Sequence, residues 1–437
     1  MLNKSVSVIS IFALAAAMLA GCGGGSGSGS TDKQPAAAPQ VKQDPVTITL
    51  GIRASYLTDT EIKRYFTDPV QKKYPHITIE VVRIDDKTNS FQNLIATGGL
   101  PDVNFIDSLT LQSTKLLGMQ QDLTEIVKKH NYDLTRLNTD LLDIVKTNNQ
   151  TDFLVGFPYV VQFNALYYNK DIFDKFGVPY PKDGMTWTET IDIAKKLTRS
   201  EGGIQYRGLE PDSVFRPGSQ LSLPLIDPKT YKSIADTDQW KKVLQMWKDI
   251  YSIPGNNKVQ AFASGVNSFI KDQNIAMLAG LNNLGRLEEI KDKWTNWDMA
   301  SYPVFPEKPG IGTQADMHVM LLSPNSKNKD AAFQVMTTVL SDEVQLDMAH
   351  MGKGSVLKDK KFQDEFGKNL DFMKGKNIQA AFKTKPAKAY PPTEFAGYVF
   401  SEITALMGNI VKNNTDVNTA IRQYDEKVNK YIEQNRK

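Results

Sequence analysis

The hydrophobic pattern of residues 46–106 switches between the period of a strand and the period of a helix. Apolar and β-branched residues dominate the strand-like segments, whereas the segments between them place apolar residues three and four positions apart. The predicted elements are, in chain order, a strand at 46–52, a helix at 58–73, a strand at 77–84, a helix around 91–95 and a strand at 100–106. This alternation is typical of an α/β layer with a parallel sheet.

A strong local signal marks the start of a helix further along the chain. Thr186 is followed three residues later by Glu189, which is the spacing of a capping box. The same segment carries Trp187, which is either an aromatic wedge at the helix start or a platform for a ligand. The sequence favours the wedge.

The amino-terminal segment is an apolar run at 6–19, preceded by Lys4 and followed by small residues, as in a secretory signal peptide. This run is shorter than the ~20 residues that a transmembrane helix needs. It ends in Leu-Ala-Gly-Cys, which resembles a bacterial lipobox, so we expect a lipoprotein signal peptide at 1–21 and lipidation of Cys22. Residues 22–44 are rich in Gly, Ser, Ala and Pro and predict a flexible tether.

The overall charge is close to neutral, with 52 Lys and Arg against 49 Asp and Glu, for a net charge of +3. This balance gives no reason to expect a nucleic-acid partner. Because Cys22 is the only Cys, a lipidated chain has no disulfide and no catalytic thiol. Hydrophobic residues make up 41% of the 437 positions, enough for sizeable cores in two or three domains.

Motifs for metal, nucleotide or hydrolase chemistry are missing from the sequence. The four His residues show no zinc-enzyme spacing, and there is no EF-hand loop, phosphate-binding loop, dinucleotide fingerprint or nucleophile elbow. We therefore predict no metal, no cofactor and no enzymatic activity. A pair of carboxylates for glycoside hydrolysis stays open, because its two members can be far apart in the chain.

Large aromatic side chains with planar polar neighbours are spread through the chain. Such rings cover the apolar face of a sugar, while Asp, Asn, Gln and Arg bind its hydroxyl groups. The alternative is that most of the rings are core, which we expect for Trp240 and Trp247 on one predicted helix. The other candidates are Trp294, Trp297, Tyr56, Tyr159, Phe215, Tyr390 and Tyr398.

Several short motifs follow one another in a recognisable order. They are Gly98–Val103 (GGLPDV), Gly156–Tyr159 (GFPY), Leu166–Phe173 (LYYNKDIF), Phe176–Pro179 (FGVP), Thr186–Glu189 (TWTE), Met277–Gly280 (MLAG) and Ser323–Ser326 (SPNS). In this order they resemble the extracellular solute-binding proteins of the maltodextrin-binding type, which are the capture subunits of ABC importers. The resemblance runs from about Val46 to the C-terminus.

This resemblance implies an α/β fold, a two-lobe periplasmic-binding-protein-like clamp with hinge crossings and an interlobe ligand cleft. The implied lobes are 45–161 plus 318–389 for the N-terminal lobe and 163–315 plus 390–437 for the C-terminal lobe. The implied crossings lie near 161–163, 316–318 and 390–392. Closure of such a clamp is a hinge motion that a ligand favours by contacting both lobes.

Ligand residues follow from the resemblance by position, and several lie in loops after strand ends, where α/β sheets bind ligands. The implied ligand-binding residues are Arg53, Tyr56, Asp107, Ser108, Gln162, Phe215, Arg216, Asn282, Asn283, Asp316, Glu394 and Tyr398. Asn282 and Asn283 stand where the family has a stacking Trp, which disfavours a stacked maltodextrin and favours hydrogen bonding there. Pairing of Arg53 or Arg216 with the carboxylate of a uronic acid is a further hypothesis.

The predicted function is capture of a carbohydrate, with an oligosaccharide favoured, by a subunit anchored on the extracellular face of the cell membrane. The expected partners are the sugar, the ABC permease subunits and the membrane, through lipidated Cys22, and the chain is expected to be a monomer. The alternatives are an exported glycan-cleaving enzyme, a binding protein for a polyamine, metal chelate or phosphorylated compound, and a surface sensor.

Overall fold

The computed structural model describes residues 44–257 and 265–436. The predicted signal peptide, the Cys22 lipidation site and nearly all of the predicted tether lie outside the described residues. Within them, no helix combines the length and the apolar character that crossing a membrane requires.

Two mixed sheets and one small hairpin contain the strands. The strands are β1 (Val46–Arg53), β2 (Ile77–Ile84), β3 (Val103–Asp107), β4 (Gly156–Gln162), β5 (Asn164–Asn169), β6 (Arg199–Glu201), β7 (Ile204–Tyr206), β8 (Glu210–Pro211), β9 (Met277–Leu281), β10 (Trp297–Ser301) and β11 (Asp316–Leu322). The first sheet has the order β2-β1-β3-β11-β4, the second has the order β10-β5-β9-β8, and β6 pairs with β7.

Helices connect and cover these sheets. They are α1 (Asp59–Ile62), α2 (Asp68–Lys73), α3 (Phe91–Ala96), α4 (Leu111–Leu116), α5 (Thr124–Lys129), α6 (Thr139–Asn149), α7 (Lys170–Phe176), α8 (Trp187–Leu197), α9 (Phe215–Gln220), α10 (Asp238–Ser252), α11 (Gly265–Asn267), α12 (Leu284–Glu288), α13 (Lys329–Val339), α14 (Asp342–His350), α15 (Lys361–Asp364), α16 (Ala396–Asn413) and α17 (Val417–Asn435). A π-helical stretch at Lys63–Thr67 joins α1 to α2, and another at Ser268–Asp272 follows α11. Short 3-10 helices lie at Ser108–Thr110, Leu134–Arg136, Asp371–Met373 and Ile378–Phe382.

The first sheet confirms the alternation that the sequence predicts for 46–106. β1 pairs in parallel with β2 on one side and with β3 on the other, as expected for strands linked by crossover helices. β11 then runs antiparallel to both β3 and β4, so the sheet is mixed where the sequence predicted a parallel one. The added strand comes from more than 200 positions further along the chain, beyond the reach of any local pattern.

The two sheets are joined by a single residue at one point. β4 ends at Gln162 in the first sheet and β5 begins at Asn164 in the second, so the chain crosses between sheets at Phe163. The chain returns after β10, where Thr313 Oγ1 accepts a hydrogen bond of 2.7 Å from Asn164 Nδ2 before β11 enters the first sheet. Two crossings between the sheets therefore lie side by side.

Three apolar clusters fill the space between sheets and helices. One packs against the first sheet and includes Phe105 and Phe157. A second packs against the other sheet and holds Trp240 and Trp247, which are buried as core side chains, as the sequence predicted. Removing a buried side chain of that size costs about 3–5 kcal/mol of stability.

The third cluster joins the second sheet to a segment from late in the chain. Phe366, Leu370 and Met373 pack with residues of β5, β9 and β10. The resemblance implies that these residues belong to the N-terminal lobe, as part of 318–389. This division into lobes stays a prediction.

The capping box at Thr186 forms as predicted, and so does the aromatic wedge behind it. The Thr186 hydroxyl accepts from Glu189 N, and the Glu189 carboxylate accepts from Thr186 N at 2.8 Å. Trp187 is 2% exposed, and its ring nitrogen donates to Gln220 Oε1 at 2.9 Å. The ring is therefore part of the core.

Candidate functional site

Strand register gathers polar side chains at one edge of the first sheet. Because β1 and β3 are parallel, their carboxyl ends, Arg53 and Asp107, lie at the same edge. β11 runs the other way, so its amino end reaches that edge too and places His318 opposite Asp107. Asp316 then stands opposite Gln162 at the end of β4.

An aromatic pair lies at this edge. The Tyr56 ring stacks on the His318 ring, with centroids 3.9 Å apart and planes inclined by 24°. On its other side, His318 Nδ1 lies 3.3 Å from Tyr159 Oη. Burial, with a contribution from Lys353, lowers the pKa of His318 to about 4, so the imidazole is neutral at physiological pH.

A cavity of about 710 Å³ opens between this edge and the loops beside it. Its size lies within the range of small-molecule sites. It is lined by Arg53, Tyr56, Asp85, Asp86, Ser90, Phe91, Gln92, Phe105, Ile106, Asp107, Thr110, Ser113, Thr114, Leu116 and Leu117. Among these, Leu116 is an apolar side chain that is 72% exposed.

Asp107 is the most perturbed acid of the cavity. Burial away from water, followed by the negative charge of Asp316, raises the pKa of Asp107 to about 7. A hydrogen bond of 2.8 Å from Leu109 N to Asp107 Oδ1 opposes this effect only in part. Burial, reinforced by Asp107, also raises the pKa of Tyr56 to about 12, so its hydroxyl stays protonated.

The second sheet brings a charged pair to its own edge. Asp212 follows β8 directly, and its Oδ2 accepts from Leu281 N at 2.9 Å at the end of β9. Arg216, one turn later on α9, donates through Nε to Asp212 Oδ1 at 2.9 Å. Burial would lower the pKa of Arg216, but Asp212 and Asp316 raise it, so the guanidinium remains charged.

Arg216 also connects the two sheets. Its Nη1 lies 3.5 Å from Asp316 Oδ2, at the amino end of β11. Both side chains are only 15% exposed, so water screens this contact poorly. One guanidinium therefore serves two carboxylates, Asp212 from the second sheet and Asp316 from the first.

Two other basic side chains near this edge are also paired. Arg53 Nη2 lies 2.8 Å from Asp86 Oδ1. Lys353 Nζ lies 2.6 Å from Glu61 Oε1. Burial alone would raise the pKa of Glu61, but the positive charge of Lys353 outweighs it, so the pKa of Glu61 is lowered.

Of the twelve residues implied by the resemblance, the structure brings four together around Asp316. Asp316 acts electrostatically on Tyr56, Asp107 and Arg216. Arg53 lines the same cavity as Tyr56 and Asp107. Gln162 adjoins the group through its backbone register with Asp316.

Three further implied residues stand beside this group, two with their side-chain amides engaged elsewhere and one with its side chain buried. Asn282 Nδ2 donates to the Gly352 carbonyl at 3.0 Å. Asn283 Nδ2 donates to the Leu281 carbonyl at 2.8 Å. Ser108 is fully buried, and its Oγ has no hydrogen-bond partner within the described residues.

The remaining implied residues belong to aromatic contacts of the second lobe. Phe215 packs against Phe400 of α16, with ring centroids 4.2 Å apart. Tyr398 stacks on Tyr431 of α17 at 3.6 Å, and Glu394 faces Tyr231. These contacts engage Tyr398 with the carboxyl-terminal helix α17 and Glu394 with Tyr231, which lies between α9 and α10.

Sequence reasoning missed two members of the group. Asp212 carries a usable signal, because it directly follows a strand end, but β8 is only two residues long and escapes detection. His318 was placed in an implied crossing at 316–318 but was not named as a site residue, whereas in the structure its ring stacks on Tyr56. Within residues 44–257 and 265–436, no group of three or more His, Cys, Asp or Glu side chains is arranged to hold a metal ion.

Known proteins share both the sequence pattern and the fold. A family model described as bacterial extracellular solute-binding protein matches residues 66–374. A putative binding protein of Brucella abortus (strain 2308) is 26% identical over 305 residues, or 63% of this chain and 66% of the relative. This chain thus spans just under two thirds of that relative's length.

Two solved structures share the two-lobe α/β architecture. An ABC substrate-binding protein from Listeria monocytogenes in complex with cycloalternan has a TM-score of 0.74 at 18% identity, covering 89% of this chain and 99% of that one. A sugar transporter from Rhizobium etli in an open conformation has a TM-score of 0.70 at 22% identity, covering 88% and 99%. Since the family model spans well over half of the sequence, the chain belongs to the bacterial extracellular solute-binding proteins.

Proposed function

We propose that this protein captures a carbohydrate outside the cytoplasm and passes it to the permease of an ABC importer. The observation that carries the proposal is the cavity beside the first sheet, where Tyr56, Asp107 and Arg53 line one wall. Arg216 of the second lobe reaches the same edge through Asp316. Similarity to sugar-binding and ABC substrate-binding structures supports the assignment.

The cavity offers the two kinds of contact that a sugar needs. The Tyr56 ring, held from behind by His318, supplies a flat apolar surface for C–H bonds. Carboxylates, the Tyr56 hydroxyl and Thr110 supply acceptors and donors for hydroxyl groups. In this proposal Arg53, Tyr56 and Asp107 make first contact with the ligand.

Closure follows from the position of the second-lobe residues. A ligand seated on the first lobe gains contacts to the second lobe only when the lobes approach, and these added contacts favour the closed state. The crossings at Phe163 and near Thr313 are the proposed hinge. The closed form would then be the one that the permease recognises.

We also propose that the protein is a monomer tethered to the outer face of the cell membrane. The lipobox-like sequence before Cys22 and the Gly- and Ser-rich residues after it support a lipid anchor with a flexible tether. Mass spectrometry of the purified full-length protein tests this directly. A diacylglyceryl-modified Cys22 at the mature amino terminus is expected, whereas an intact residue 1–21 segment would contradict it.

A glycan-cleaving enzyme is the second candidate, and one observation favours it. Asp107 has a raised pKa of about 7 and lies near a second acid, Asp316, a combination that general acid catalysis uses. Both acids belong to the first sheet, however, and Asp316 is engaged by Arg216. We therefore propose binding without turnover.

One titration separates these functions. The full-length protein, purified in detergent, is mixed with neutral, amino and acidic oligosaccharides while thermal unfolding and Trp fluorescence are followed. A ligand at 100 times its Kd adds about 2.7 kcal/mol of stability. Stabilisation by one sugar class without its cleavage is expected. Cleavage products would support the enzyme, and no response to any sugar would overturn carbohydrate capture.

A further inference from the structure

The basic side chains at the cavity are already matched by acids. Arg53 is the only basic residue that lines the cavity within the described chain, and it lies 2.8 Å from Asp86. Arg216 at the lobe boundary is shared by Asp212 and Asp316. No guanidinium at this edge is therefore left to receive a negatively charged ligand.

The acidic side chains are in excess. Asp85, Asp86 and Asp107 line the cavity, against one Arg. Asp85 Oδ1 accepts from Lys87 N and Asn89 N at 2.7 and 2.9 Å, so its role is to hold a turn. Asp107 differs, because within the described residues its side chain accepts only one hydrogen bond, from Leu109 N to Oδ1, so Oδ2 has no protein partner on the cavity wall.

We infer that the cavity prefers a sugar that carries a protonated amine over its neutral parent, and the neutral parent over the corresponding uronic acid. Asp107 is the residue that meets the ammonium group. This inference rests on the proposed function and names the chemical class of its ligand. It reverses the earlier hypothesis of a uronic acid, because both arginines on which that hypothesis relied are neutralised.

Proton exchange at Asp107 supports this assignment. Burial and Asp316 raise its pKa to about 7, while Arg216 and Leu109 N act in the opposite direction, and Tyr56 and Arg53 face it from the loop after β1. The unliganded acid therefore holds a proton part of the time near neutral pH. A ligand ammonium stabilises the carboxylate and displaces that proton.

The test compares matched sugars on the full-length protein. Di- and trisaccharides of the gluco, galacto and manno series are used as neutral sugar, 2-amino sugar and uronic acid. Binding is measured by calorimetry at about pH 6 and low salt, where the amine is protonated and Asp107 still holds most of its proton. We expect the amine to bind at least tenfold more tightly than its neutral parent and the acid at least tenfold more weakly. Amine binding should release protons, seen as a dependence of the heat on the buffer's ionisation enthalpy.

Two variants assign these preferences to residues. Asp107→Asn is expected to bring the amine-to-neutral affinity ratio within threefold of one. Asp86→Asn frees Arg53 and is expected to improve uronic acid binding at least fivefold. Glu80→Gln, which removes an exposed charge from the edge strand β2 of the same lobe, is the matched control and should change neither ratio.

Melting temperatures show whether each variant is folded, and proton release by the unmodified protein tests the inference without any variant. The inference is overturned if the acid binds as tightly as its neutral parent, or if amine binding is no tighter and releases no proton. Carbohydrate capture survives both results. If no sugar of any series binds, the proposed function and this inference fall together.

Discussion

The two strand edges that meet at the cleft carry similar side chains in different electrostatic states. At the first-sheet edge, Asp107 faces an open cavity with one carboxylate oxygen unused, and its pKa is raised to about 7. At the second-sheet edge, Asp212 is held by Arg216 and by Leu281 N, with both its side chain and that of Arg216 at most 15% exposed. The first edge keeps an acceptor without a protein partner, and the second is satisfied internally.

This difference suggests that the two edges contribute to different properties, one to ligand affinity and the other to stability. Groups with unused hydrogen-bonding capacity contribute to affinity, whereas a buried ion pair with complete partners contributes mainly to the integrity of the lobe that holds it. The first edge should therefore govern ligand choice, and the second should govern stability. Four predictions challenge or refine this comparison.

The largest expected effect is on the second edge. Arg216→Ala leaves Asp212 and Asp316 without their cation in a poorly screened site, so we expect a loss of about 3–5 kcal/mol in the free energy of unfolding. Arg53→Ala at the first edge removes a pair whose acid is 84% exposed and should cost less than about 1 kcal/mol. Urea unfolding of both variants at pH 7 checks this, and equal losses would refute the division.

The next effect is a pH dependence that comes from the first edge. The folded-state pKa of Asp107, about 7, lies above its ordinary value of 3.8, so the folded protein holds this proton longer than the unfolded chain. Its stabilising contribution is complete below about pH 4 and is lost as the pH rises to 7. Asp107→Asn has no titrating carboxyl at this position and does not lose this stability. The free energy of unfolding of the variant minus that of the parent should therefore increase by about 2–4 kcal/mol from pH 4 to pH 7.

Measuring the difference between parent and variant isolates Asp107 from His318, which acts in the opposite direction. The pKa of His318 is lowered from its ordinary 6.5 to about 4, so its contribution to stability grows as the pH rises through that interval. Thermal unfolding at several pH values gives the comparison. A difference that does not vary with pH would show that Asp107 has an ordinary pKa.

A third prediction concerns affinity and depends on the proposed function. Tyr56→Ala removes the ring that His318 supports at the cavity wall, and we expect about tenfold weaker sugar binding, or ~1.4 kcal/mol. Phe215→Ala should weaken binding much less, because that ring packs on Phe400. Tyr56→Phe keeps the ring and separates stacking from the hydroxyl. Calorimetry measures all three, and a larger effect at Phe215 would reverse the comparison.

The smallest effect uses two equivalent helix caps, one in each lobe. Thr58 and Thr186 both form capping boxes, with Glu61 and Glu189 respectively, so each Thr→Ala substitution should cost about 1 kcal/mol. Thr58 begins the helix that follows Tyr56, whereas Thr186 lies away from the cavity. Thr58→Ala alone is therefore expected to weaken ligand binding as well. Equal affinity of the two variants would show that the α1 cap does not position Tyr56.

Local pattern was sufficient for much of the fold. The alternation over 46–106 predicted β1, β2, β3 and the helices between them, and the Thr186 capping box predicted the start of α8. The motif order indicated a two-lobe clamp, which the structural similarities confirm. These features are local or ordered along the chain, so a single sequence contains them.

Contacts between distant segments could not be predicted from local sequence pattern. The antiparallel insertion of β11 beside β3 and the packing of Phe366 on the second sheet depend on which surfaces meet after the chain has folded. The same limit applied to the short strand β8, and with it to Asp212. An element of two residues has no period to detect.

The sequence by itself determined the kinds of side chain available, the elements of 46–106 and the strand ends near which Arg53 and Asp107 stand. Only the tertiary structure decided their charge states and partners. Hydrophobic period and caps act over a few residues, whereas the pairing of Arg216 with Asp316, 100 positions away, depends on two strand edges meeting. Electrostatic interaction follows distance and burial in space, and a sequence specifies neither until the chain has folded.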